Sequence, residues 1–140
     1  MLSIRLALLD DVDSIAHLDR TGENRRAFII RSVGAGACSV IVDHEKVIGY
    51  AVMDYSFFEH GFISMLYVKI DCRRHGAGLQ LVQHLECICK TKKIFTSTNF
   101  SNLPMKSLLT KSGYTLSGVI HHLDEGDPEL IYVKYPNRDQ

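Results

Sequence analysis

The sequence predicts one α/β domain, a mixed sheet of about seven strands with four helices on both of its faces. Three observations carry this. Short segments that alternate in polarity or are wholly apolar are interspersed with segments of helical period. Glycine, proline and acidic turns punctuate them at short intervals. The 140-residue length, 46% hydrophobic and 23% charged, suits a single core that needs no disulfide or metal staple. No internal repeat, low-complexity tract or Pro/Ser linker interrupts residues 1–140, so the whole chain is assigned to that one domain.

Residues 2–8 set Leu2, Ile4, Leu6 and Leu8 against Ser3, Arg5 and Ala7, the two-residue period of a half-buried strand. Asp10 or Asp11 then caps a helix with Val12, Ile15 and Ala16 on one face. A second helix runs from about Glu23 to Val33 and stops at Gly34-Ala35-Gly36. Residues 37–43 and 46–58 form two strands joined at His44-Glu45, and the second is apolar on both faces, as a central strand requires. Glu59-His60-Gly61 supplies the next turn, ahead of a buried-type strand from Phe62 to Val68. From Gly76 to about Lys90 the period becomes helical, with a stripe of Leu79, Val82 and Leu85 widened by Leu81 and Ile88. Ile94 to Thr98 is a short strand. Pro104 sits at a helix start, where its missing N–H leaves no rung unmade. Met105, Leu108 and Leu109 share one face of that helix, and Gly113 ends it. Strands at 114–121 and 130–135 flank the polar turn Asp124-Glu125-Gly126-Asp127-Pro128, which completes the order β-α-α-β-β-β-α-β-α-β-β.

Sixteen Lys and Arg balance sixteen Asp and Glu, which argues against a dedicated nucleic-acid or membrane-surface binder while leaving room for a local basic site. No apolar run approaches the ~20 residues of a membrane-spanning helix. The N-terminus lacks the basic segment and cleavage site of a signal peptide. Cys38, Cys72, Cys87 and Cys89 form no CxxC, and the seven His offer no partner pair at finger spacing, so no metal is expected. Free thiols of this kind predict a cytoplasmic protein.

The stretch from Val68 to Leu79 carries the chemistry. A strand leads through a short loop into a helix whose start holds Gly76 and Gly78, with Lys69, Arg73, Arg74 and His75 close by. The first turn of a helix has unpaired N–H groups and a partial positive charge, a combination that suits a pyrophosphate. On their own, such glycines equally serve close helix–sheet packing. Two phosphate-binding spellings fail: GxxxxGK[ST] is absent, and Leu81 stands where a dinucleotide fingerprint needs its third glycine.

The segment Arg73-Arg74-His75-Gly76-Ala77-Gly78 resembles the acetyl-CoA motif [RQ]-x-x-G-x-[GA] of the GCN5-related N-acetyltransferase (GNAT) superfamily. Residues 99–114 resemble the family's second motif, N-x-x-N-x-x-A-x-x-L-Y-x-x-x-G-[FY], through Asn99, Asn102, Leu108, Gly113 and Tyr114, with Met105 and Leu109 at its Ala and Tyr positions. The element order matches from Leu2 to Tyr135, and the tail resembles that of small bacterial members. The resemblance implies a mostly antiparallel acyl-CoA N-acyltransferase sheet with acetyl-CoA as cosubstrate. It implies that pantetheine extends the strand at Leu66, Tyr67 and Val68 as an added strand would. It also implies that the N–H of Leu66 contacts the thioester oxygen. In the same reading Arg73, Arg74, His75, Gly76, Ala77, Gly78 and Leu79 hold the pyrophosphate, and Asn102 and Asn99 bond the pantetheine arm or its loop. Lys106 is either a phosphate contact or a solvated helix lysine.

The reaction so implied needs a base for the attacking amine and an acid for the departing thiolate. Where the family often has a Glu and a Tyr for these roles, this chain has Phe62 and Leu109. Glu59 and His60, just before the motif strand, are the substitute bases, with a solvated turn as the plainer reading. Tyr67 is a weaker candidate for the acid, and Cys72 is not assigned an acyl-cysteine role. The acceptor is expected between the first two helices, with Arg20, Glu23, Arg25 and Arg26, and the last hairpin, with six ionisable groups in the nine residues His121 to Glu129. Glu125 or Glu129 then recognises a small-molecule amine, unless this is a charged turn that keeps the hairpin soluble. Acetyl transfer to a primary amine is the leading function. A non-catalytic acyl-CoA-binding regulatory module is the alternative, and aminoacyl-tRNA as acceptor is disfavoured by zero net charge. A homodimer is compatible with the family.

Overall fold

The computed structural model describes residues 1–136 and places seven strands and four α-helices in the expected order. The strands are β1 (Leu2–Leu6), β2 (Cys38–Asp43), β3 (Lys46–Phe57), β4 (His60–Val68), β5 (Ile94–Asn99), β6 (Thr115–Ile120) and β7 (Glu129–Lys134). The helices are α1 (Val12–Ala16), α2 (Arg26–Gly34), α3 (Ala77–Ile88) and α4 (Leu103–Lys111). One mixed sheet has the order β1-β2-β3-β4-β5-β7-β6. The pairs β1–β2, β2–β3, β5–β7 and β6–β7 are antiparallel. β4 and β5 run parallel, as a crossover through an intervening helix demands. Among the described residues no helix is long and apolar enough to cross a membrane.

Two compact units divide the chain, one of Met1–Met53 with Met65–His84, the other of Asp54–Ser64 with Leu85 onward. The first buries Val12, Ile15, Ala16, Ile29, Val33, Val40, Tyr50 and Val52 in one cluster. Burial pushes the Tyr50 hydroxyl and the Cys38 thiol up to about 12. In the second unit Leu85, Ile94 and Leu109 are fully or almost fully buried. There the Tyr114 hydroxyl donates to Glu86 (3.0 Å) and Lys134 donates to the same carboxylate (3.0 Å), so Tyr114 packs inward. Its hydroxyl is held well above the usual phenol range, first by burial and then by Glu86.

Local chemistry accounts for the element ends. α4 begins where the Asn102 side chain accepts from the Met105 N–H (3.2 Å), with Pro104 in the first turn. It ends at Gly113, φ 88°, where the N–H groups of Gly113 and Tyr114 reach back to the carbonyls of Thr110 and Leu109. Both hairpins before the crossover use two-residue turns with left-handed φ at both positions, His44-Glu45 and Phe58-Glu59.

Three expectations need correction. β1 stops at Leu6, because Leu8 already opens a 3₁₀ turn at Leu9–Asp11. Asp11 does not cap α1. Helical at that point, it turns its carboxylate back to accept from the Leu8 N–H (2.7 Å) and from both Nη atoms of Arg5 (2.7 and 3.0 Å). Those bonds, Arg5's first, hold its carboxyl below the usual range. The second hairpin turn is Phe58-Glu59 rather than Glu59-His60-Gly61, since a two-residue turn leaves His60 as the first residue of β4.

Candidate active site

The end of β4 is shaped by β3. Ile41 pairs with Gly49 but Val42 pairs with Val47, so Ile48 is an extra residue in β3. The Ile48 carbonyl accepts from the Lys69 N–H (2.8 Å). Gly49 allows a close approach: a Cβ there would lie 2.8 Å from the Tyr67 carbonyl oxygen and 3.3 Å from the Val68 Cα. Main-chain groups of a strand alternate between its two edges. With Tyr67 and Lys69 turned to β3, the N–H and C=O of Leu66 and Val68 point to the opposite edge. The parallel register with β5 covers Gly61, Phe62 and Ile63 and goes no further.

Beyond β4 a 3₁₀ turn, Ile70–Cys72, leads into Arg73 in extended conformation, Arg74 at φ 70° and Gly76 at φ 84°. These two left-handed residues turn the chain into α3. The first rung of that helix runs from the Gln80 N–H to the Gly76 carbonyl (3.0 Å), so the N–H groups of Ala77, Gly78 and Leu79 precede the ladder and lie at its positive end. A Cβ on Gly76 would meet nothing within 4 Å, so conformation rather than crowding requires glycine, and the space before the helix start is open. Lys69, Arg74 and His75 are exposed around it. Arg73 is engaged: its Nε donates to the Val68 carbonyl (2.7 Å) and its guanidinium carbon lies 5.1 Å from the centre of the Tyr67 ring.

Most of the other predicted residues lie in the second unit. Glu59 is exposed in the left-handed turn. His60 has its ring 5.6 Å from Phe95, and its Nδ1 is buried without a hydrogen-bond partner. Phe62 stacks on Phe57 (5.0 Å, 23°), which itself touches Phe58 and Phe95 at the same spacing. Leu109 is fully buried, so the position where the family often has a tyrosine is plain core. The Asn99 amide donates to Asp124 (2.9 Å), Asn102 caps α4, and Lys106 folds over the Phe100 ring (4.0 Å) and donates to the Phe100 carbonyl.

A small cleft of about 140 Å³ lies at the last turn, lined by His121, His122, Asp124, Glu125, Gly126, Asp127 and Pro128. Asp124 is used by Asn99, and Asp127 accepts from the N–H and hydroxyl of Ser101 (3.0 and 2.6 Å). Glu125 lines the cleft, whereas Glu129 is paired within the β-ladder. The charges near α2 pair among themselves: Arg25 with Asp19, and Arg26 with Glu23 and Asp13. Sequence reading missed Ile48, Gly49 and the Arg73 bond. The signal for Gly49 was present, since a lone glycine within an apolar strand marks a bulge or a close approach of backbone.

A strand whose open edge feeds a helix start with free amides can accommodate an extended, phosphate-bearing ligand. The model of the acetyltransferase (GNAT) family matches residues 7–114, and the chain belongs to that family. A GNAT-family acetyltransferase from Bacillus cereus ATCC 10987 is 34% identical, with 99% of each chain covered and a TM-score of 0.94. Ard1 from Thermoplasma volcanium shares the fold at 16% identity, with 98% of this chain and 99% of that one covered, TM-score 0.84. So does a Bacillus anthracis protein solved in complex with acetyl coenzyme A, at 15% identity, with 96% and 98% covered, TM-score 0.84. None of the curated proteins compared matches the sequence.

Proposed function

We propose that the chain transfers the acetyl group of acetyl-CoA directly to a primary amine of a small-molecule or amino-acid-like acceptor, both bound at once. The observation that carries this is the join of β4 to α3. An open main-chain edge at Leu66 and Val68 runs into three free helix-start N–H groups, in a chain of the acetyltransferase family. The residues fit the cosubstrate, because the open space at Gly76 and the exposed Lys69, Arg74 and His75 suit a pyrophosphate.

When bound, acetyl-CoA supplies an acyl thioester already activated for attack by nitrogen. Ala77, Gly78 and Leu79 donate their N–H groups to the diphosphate. The edge at Leu66 and Val68 orients the pantetheine by strand addition, and the Leu66 N–H donates to the acyl oxygen where charge develops. Glu59 and His60 are the candidates to take the proton of the amine. Glu125 gives the amine a carboxylate to meet. A route through an acyl-cysteine is disfavoured, because burial and Asp71 raise the Cys72 thiol and suppress its thiolate.

The test is incubation with acetyl-CoA and a panel of amines, amino acids and peptides, with release of free thiol as the readout. Amine-dependent thiol release is expected. A second reading, a non-catalytic acyl-CoA-binding module, rests on Phe62 lying in an aromatic stack and Leu109 in the core. Tight binding with no turnover on any amine favours that reading, and no affinity for acetyl-CoA removes both.

A further inference from the structure

We infer that Arg73 is a positioning residue, a clamp that fixes the last peptide plane of β4, rather than a cation that grips phosphate; the inference rests on the acetyl-CoA reading of this site. The plane in question joins Val68 to Lys69. Its N–H is bound by β3, through the Ile48 carbonyl at 2.8 Å. Its carbonyl oxygen faces the other way and is bound by Arg73 Nε at 2.7 Å. One peptide unit is therefore held from both edges, at the point where strand gives way to loop. The guanidinium also lies against the Tyr67 ring, 5.1 Å from its centre, which fixes the arginine itself.

The clamp closes a ring of chain. From Val68 the backbone passes through a 3₁₀ turn, itself tied by the Cys72 N–H to the Lys69 carbonyl (2.9 Å), and returns at Arg73 to the carbonyl it left. Arg74 and Gly76 then spend their left-handed conformations in turning the chain to α3. The geometry handed to that turn is set by the clamped plane, so the free amides at residues 77–79 inherit their direction from it. The neighbouring edge groups of Leu66 inherit it in the other direction along the strand. Binding is tightest when such donors are already in place. The bond occupies the Val68 carbonyl, which leaves the Val68 N–H and both main-chain groups of Leu66 as the edge available for strand addition.

Lysine separates the two roles of this arginine. It keeps the charge but has neither an Nε–H nor a plane to lay on Tyr67. Calorimetric titration of acetyl-CoA into wild type, Arg73→Ala and Arg73→Lys at several salt concentrations is the experiment, with amide hydrogen exchange on the ligand-free proteins beside it. Both variants are expected to raise Kd by roughly tenfold, the worth of one hydrogen bond to a charged group. The dependence of Kd on salt should match wild type, because no phosphate contact is lost. Amides from Leu66 to Leu79 should exchange faster in both ligand-free variants. Recovery of wild-type Kd by lysine, with a flatter salt dependence in Arg73→Ala, would show a direct phosphate contact and overturn the clamp. So would an Arg73→Ala protein that binds as wild type does. Wild type without affinity for acetyl-CoA overturns the clamp together with the functional reading, whereas normal wild-type binding with either of the preceding results overturns the clamp alone.

Discussion

Gly49→Ala puts a methyl group where β3 and β4 approach most closely. The new carbon would sit 2.8 Å from the Tyr67 carbonyl oxygen, 3.0 Å from Ile41 Cγ2 and 3.3 Å from the Val68 Cα. The Ile41 methyl can move aside by a small rotation, but two of the three atoms are backbone. Relief therefore requires β4 to shift by about half an ångström at Tyr67 and Val68. Overpacking of this kind costs about 1–3 kcal/mol. Loss of the glycine's freedom in the unfolded chain returns about 0.4–1 kcal/mol, so the net destabilisation is about 1–2 kcal/mol. Urea unfolding followed by circular dichroism reads that change. The same shift moves the Leu66 and Val68 edge, so calorimetry should also show weaker acetyl-CoA binding. A Gly49→Ala protein with wild-type stability and wild-type Kd would refute the reasoning that this glycine shapes the site.

Gly22→Ala is a sharper case with no link to the site. Its Cβ would fall 1.8 Å from the Ala16 carbonyl oxygen and 2.6 Å from the carbonyl carbon, so α1 and the following turn must separate, at a cost of about 3 kcal/mol or more in a urea midpoint measurement. The Arg5–Asp11 pair predicts a pH dependence. The Asp11 carboxyl titrates below its ordinary value of 3.8, chiefly through the hydrogen bonds from Arg5, so the unfolded state takes up its proton first as pH falls. Its stabilising contribution is therefore complete above pH 3.8 and is lost as pH falls through the lower folded value. Arg5→Met should remove much of that acid-dependent loss in thermal melts recorded across this window, and an unchanged slope would dismiss the pair as its source.

What the sequence made legible follows from how local each signal is. α4 was readable at both ends, because Pro104 and Gly113 act through their own backbone. The helix-start amides were readable for the same reason, since Gly76 and Gly78 stand beside the cationic run that accompanies them. Asp11 was misread because an aspartate before a helix suits either of two jobs, and only the distant Arg5 decides between them. The displaced hairpin turn had the same origin: Phe58 is an unfavourable left-handed residue by itself, yet the two-residue turn imposes that conformation on it. By sequence the run after β6 is six ionisable groups with nothing to tell one carboxylate from another. The structure divides it by contacts with residues some 25 positions away in the chain, Asp124 bonding Asn99 and Asp127 bonding Ser101. Composition shows the charge of such a run and not which members are already spent.

In the first unit, the proposed site is made of main chain more than of side chains, and this changes where substitutions should matter. A donor supplied by the peptide N–H of Leu66, Ala77 or Leu79 survives replacement of its own side chain, provided the backbone holds its course. The sensitive positions are then the ones that set that course: Gly49 by its lack of a Cβ, Gly76 by its φ of 84°, and Arg73 by its bond to the Val68 carbonyl. Two of these three occupy a short family motif, and the third lies in β3, outside either motif that the sequence displays. It follows that the precision of a main-chain site is stored in the residues that set the course of its backbone, and that Gly49, on the strand behind, belongs to the proposed site as much as the glycine at its rim.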